Sequence, residues 1–95
     1  MSKVVPKRRN AIKLITEDGF VRVFHHEREL IKFDDEKIII NARSYHSPLT
    51  LRQINKYSKK FKLDIELFVD NSKWYLKFQG EVIPFKDEIT LYRSK

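Results

Sequence analysis

Hydrophobic and polar positions alternate along most of the chain, and one stretch breaks that alternation with a helical period. Ala11 to Thr16 is a short β-rich run closed by the turn signal Glu17-Asp18-Gly19. Phe20 to Phe24, β-branched and aromatic, then reads as the returning strand of a hairpin. His25 to Phe33 is compatible with a continued strand or with a helical turn through Glu27-Arg28-Glu29-Leu30. Asp34-Asp35-Glu36 marks a turn, and Ile38-Ile39-Ile40 opens a strand reaching about Arg43.

The helical stretch comes next. Ser47 before Pro48 has the form of an N-cap followed by proline at the first helical position. Leu51, Ile54, Tyr57 and Phe61 recur at spacings of three, three and four, one apolar stripe of an amphipathic helix over residues 48–61. Beyond it Leu63, Ile65, Leu67 and Val69 alternate with Asp64, Glu66, Phe68 and Asp70, the period of a half-buried strand. Asp70-Asn71-Ser72-Lys73 and Gln79-Gly80 are turns on either side of a strand in which Trp74, Leu76 and Phe78 alternate with Tyr75 and Lys77. Val82 to Phe85 and Ile89 to Tyr92 supply further strands, with Pro84 marking an edge or a break. The predicted fold is α+β: a small antiparallel β-sheet of N-terminal hairpin and strands, one helix packed on a face, and a C-terminal β-meander.

Composition sets the scale of this fold. The chain has 95 residues, 41% hydrophobic and 13% aromatic, enough for one domain with one core. The organisation expected is a basic arm over residues 1–10 and a single folded unit over 11–95. Without cysteine there is no disulfide and no thiolate metal site. No apolar run approaches the ~18 residues of a membrane span, and the basic N-terminus is not followed by the apolar core of a signal peptide. A soluble cytoplasmic protein is therefore expected, with no membrane partner and no cofactor.

Charge changes the picture more. The formal net charge is +7, and its distribution is uneven. Residues 1–10 carry +4 with no acid, residues 11–36 carry −3, residues 37–60 carry +6 with no acid, and residues 61–95 are neutral. Segregated positive charge attracts polyanions where an evenly mixed surface does not. On a helical wheel Arg52, Lys56 and Lys59 fall within ~60° of one another, opposite the apolar stripe, with Lys60 and Asn55 at their flanks. Basic side chains one turn apart can meet successive phosphates, whereas an ordinary solvated face interleaves Glu with Lys. A second helix that would complete a helix-turn-helix is absent from the pattern, because a strand follows instead. Lys7, Arg8 and Arg9 in the arm, with Arg43 before the helix, would add phosphate contacts.

A second surface is conceivable on the meander. Phe68, Tyr75 and Lys77 would share its outward face and could stack on bases or meet a protein partner. The expectation preferred here is that the N-terminal hairpin covers this face and makes Phe68 part of the core. Asp64, Glu66, Asp70 and Lys73 lack the spacing of a metal nuclease and read as the solvent side of a strand. Of the histidines, His25 and His26 are adjacent and point to opposite sides of a strand, so they do not share a metal. His46 with Arg43 and Tyr45 is the one arrangement that suggests a metal-free nuclease. No nucleophile elbow, phosphate loop, zinc-protease or dinucleotide motif occurs.

These features imply a non-enzymatic protein that binds nucleic acid, DNA or RNA, through its phosphates with little sequence specificity. The alternative is a protein-interaction module, engaging an acidic partner or forming a homodimer through a sheet edge. Basic, cysteine-free chains rich in Lys, Ile and Asn are common in phage and viral genomes. That composition makes an inhibitor of a host factor, acting in the host cytoplasm, one form of this alternative.

Overall fold

In a computed structural model, which describes residues 12–25, 28–42 and 47–93, the elements run β1 (Ile12–Glu17), β2 (Phe20–His25), β3 (Arg28–Phe33), β4 (Lys37–Asn41), α1 (Pro48–Lys60), β5 (Ile65–Asp70), β6 (Lys73–Phe78), β7 (Glu81–Pro84) and β8 (Glu88–Tyr92). Three two-residue turns organise the hairpins. Asp18-Gly19, Asn71-Ser72 and Gln79-Gly80 each place two successive residues at positive φ. That is the pattern of a turn whose twist matches its flanking strands. Both glycines of the chain stand second in such a turn, at φ 80° and 83°.

The strands divide between two antiparallel sheets, ordered β1-β2-β3-β4-β8 and β5-β6-β7. Of the stretch open to a helical turn, His25 ends β2 and Arg28–Phe33 form β3. The register slips between Val23 and Phe24, which pair with Ile31 and Glu29, so Leu30 is the extra residue and both Leu30 and Ile31 are buried. The C-terminal meander is shorter than its sequence suggests. Pro84 ends β7, the edge of the smaller sheet, and buried Phe85 turns the chain away. β8 then lies on β4, pairing Ile38 with Leu91 and Ile40 with Ile89. Backbone bonds from Ala42 N–H to Asp87 (2.8 Å) and from Arg93 N–H to Glu36 (2.8 Å) fasten the two ends of that pairing.

One core joins the two sheets and the helix. Val23, Ile31, Ile38 and Ile40 enter it from the larger sheet, Ile54 from α1, and Leu67, Leu76 and Phe78 from the smaller sheet. Along α1 the line of deepest burial runs through Thr50, Ile54 and Ser58, each fully enclosed. The apolar stripe read from spacing is thus shifted, because Leu51, Tyr57 and Phe61 stand at its margins and are only partly buried. Small side chains above and below Ile54 let the helix sit close in a densely packed interior. Phe61 reaches the larger sheet, its ring 5.2 Å from that of Phe33. Val69, expected in the core, lies at the far end of β5 and is half exposed. Leu63 is buried but precedes the strand, since Asp64 takes a positive φ of 62° and interrupts the extended chain. Among the described residues, no helix is long and apolar enough to cross a membrane.

Candidate nucleic-acid interface

Helix α1 carries the charge, and local chemistry defines both its ends. Ser47 is extended, and its Oγ accepts from the Thr50 N–H at 3.1 Å, with Pro48 following at the first position. At the other end Leu63 N–H donates to the Ser58 carbonyl at 2.9 Å and Lys62 N–H to the Lys59 carbonyl at 3.1 Å, while Lys62 adopts a φ of 58°. This pair of bonds closes a helix in the manner that usually calls for glycine at the left-handed position.

Between these ends α1 contains no acidic residue. Arg52, Lys56, Lys59 and Lys60 are all exposed, on the side away from Ile54. Lys59 and Lys60 fall in the last turn, where positive charge complements the helix dipole. Lys56 Nζ lies over the Tyr57 ring, 5.6 Å from its centre.

Asn55 does not belong to this cationic side. Its Nδ2 donates to the Leu67 carbonyl (2.9 Å), and its Oδ1 accepts from the Leu67 N–H (2.7 Å). Leu67 lies in β5, the edge strand of the smaller sheet, so one amide side chain occupies both hydrogen-bonding groups that a neighbouring strand would take.

The helix and the smaller sheet meet in an open cleft of about 640 Å³. Lys59 and Lys62 line it from the helix end, Lys77 from β6, Asp64 from the residue before β5 and Glu66 from β5 itself. Ser58 also borders the cleft, and its enclosed hydroxyl has no hydrogen-bond partner among the described residues. Lys62 adds a third cation to Lys59 and Lys77 here. Its position was not marked by helical periodicity, because it follows the last helical residue.

Beyond the cleft lies the outward face of the smaller sheet. The register sets Glu66 opposite Lys77, Phe68 opposite Tyr75 and Asp70 opposite Lys73. Val82 and Pro84 of β7 continue the first two rows. Phe68 and Tyr75 pack on each other with ring centres 5.7 Å apart and planes 24° apart. Both are partly exposed, and neither belongs to the core. The expectation that the N-terminal hairpin buries Phe68 is therefore overturned. That hairpin forms one side of the larger sheet, and the hydrophobic residues of β5 and β6 that meet the core are Ile65, Leu67, Trp74, Leu76 and Phe78 on the other face.

Lys7, Arg8, Arg9 and Arg43 lie outside the described residues, as do Tyr45 and His46. His25 is buried at the end of β2, remote in character from a solvent-facing acid or base. Among the described residues no three His, Cys, Asp or Glu side chains gather as a metal ion would require. No family model matches the chain, and no curated protein or solved structure shows significant similarity to it.

Proposed function

We propose that this chain is a non-enzymatic nucleic-acid-binding protein that grips the phosphate backbone with the exposed side of α1. The supporting observation is that Arg52, Lys56 and Lys59 stand exposed on one side of a helix without acids, opposite its buried side. Three cations in a row on a rigid support neutralise phosphates and release their counterions, which gives affinity without reading base edges. The test is oligonucleotide binding measured from low to moderate salt. Replacing Arg52, Lys56 and Lys59 together by Ala reduces the slope of log affinity against log salt by ~2–3, at ~0.7–0.9 per lost phosphate contact. These side chains are exposed and alanine favours helix, so the variant folds. A slope equal to that of the unaltered chain defeats the proposal.

A second reading rests on the same helix. An acidic protein surface meets a row of cations as a phosphate backbone does. Capture of one acidic protein after nuclease treatment, with no measurable DNA or RNA affinity, favours that reading over the first.

A further inference from the structure

We infer that the preferred ligand is a single strand, whose phosphates follow α1 and the cleft while its bases stack on the Phe68–Tyr75 pair. This rests on the nucleic-acid reading of α1 and adds the second half of the surface. Two observations carry it. The cleft makes the two halves continuous: Lys59, part of the cationic helix side, and Lys77, on the aromatic sheet face, line the same hollow, which Lys62 lines as well. The sheet face holds paired aromatic rings outside the core, with Lys77 in the row on one side and Lys73 in the row on the other.

Aromatic rings beside lysines bind nucleic acid only when the bases are free to leave their own stack. A duplex keeps its base faces covered, so it engages the helix alone. Glu66 and Asp70 oppose Lys77 and Lys73 and repel phosphate, so the sheet face as a whole is neutral. Its contribution is therefore stacking, with the phosphates held by the helix and by the cleft, where Lys59, Lys62 and Lys77 outnumber Asp64 and Glu66. Stacking on an aromatic platform is tolerant of sequence.

The experiment compares a labelled 20-nucleotide oligo-dT, an oligo-U of the same length and a 20-base-pair duplex, each titrated with the full chain at one fixed salt concentration. The expected result is single-strand binding at least ~10-fold tighter than duplex binding, the scale of one or two bases stacked on rings. Phe68→Leu with Tyr75→Leu abolishes most of that preference while leaving duplex affinity and its salt slope in place. Leucine keeps apolar bulk at both positions, and a thermal melt checks that the variant is folded. Both oligo-dT and oligo-U are expected to outbind the duplex, because an aromatic platform meets base faces and not sugars. Equal affinity of the unaltered chain for single strand and duplex overturns it, without any variant being needed, and leaves the helix reading standing. Photocrosslinks from bromouracil confined to α1, with none at Phe68 or Tyr75, overturn it in the same way. Absence of binding to all three ligands defeats both readings, and a single acidic protein retained on the Phe68–Tyr75 face instead defeats the nucleic-acid assignment of that face.

Discussion

Lys62 and Asp34 show how single residues are held by local backbone chemistry. Lys62 sits at φ 58°, where an L-residue other than Asn or Asp is strained and glycine is at ease. Lys62→Gly is expected to raise unfolding free energy by ~1 kcal/mol, read from urea melts. The same change removes a cation from the cleft, so single-strand affinity falls while the fold gains stability. That opposition between stability and binding separates a functional lysine from an indifferent one. Asp34 accepts from the N–H groups of Glu36 and Lys37 at 2.8 and 2.9 Å, and those bonds hold its carboxyl below the ordinary 3.8. Because its folded value is depressed, the stability it adds is complete above 3.8 and is lost as pH falls through the folded value. Asp34→Ala therefore lowers the melting temperature at neutral pH. The gap from the unaltered chain closes as the pH is brought down through the acid range, and a gap independent of pH contradicts this account.

At the scale of elements, the helix is where prediction and structure can be compared most closely. Its N-cap, its proline and its cationic side are local properties, fixed by spacing along one chain segment, and Ser47, Pro48 and the Arg52-Lys56-Lys59 row stand where those rules place them. Its partner is not a local property. A wheel locates Asn55 beside the cations but cannot reveal that its amide mates with an open strand edge twelve residues further on. β8 is similar: alternation of Ile89 and Leu91 with polar residues fits any half-buried strand, and its pairing with β4 depends on which edge remained free. The exposure of the Phe68 face is illegible for the same reason, since alternation assigns a side chain to a face and does not say what covers it. Asn55→Ala strips both hydrogen bonds from Leu67. The expected loss is ~1–3 kcal/mol in chemical denaturation, with a rise in concentration-dependent association by sedimentation as the β5 edge opens. A loss of stability without association would mean that the edge is protected by something other than this amide.

For the whole molecule the decisive fact is that two sheets of different size share one interior. Neither has a core of its own: Ile31 and Ile38 from the larger sheet, Leu67 and Leu76 from the smaller, and Ile54 from the helix belong to one buried cluster. The proposed single-strand surface depends on this union, because the cations are on the helix, the rings are on the smaller sheet, and their relative placement is set by the Asn55–Leu67 bonds together with the shared core. A chain built this way should unfold as one unit. Trp74, the single tryptophan, lies in β6 against Phe85, with ring centres 6.2 Å apart, and reports on the smaller sheet by fluorescence. Amide exchange at Ile31 and Ile38 reports on the larger. Ile54→Ala removes a fully enclosed side chain at the junction and is expected to cost ~2–5 kcal/mol, with both reporters shifting to the same lower denaturant midpoint. If Trp74 were released well before Ile31 and Ile38 lost protection, the smaller sheet would be a separately stable layer. The cationic helix and the aromatic face would then be free to part, and a single continuous binding surface could not be maintained.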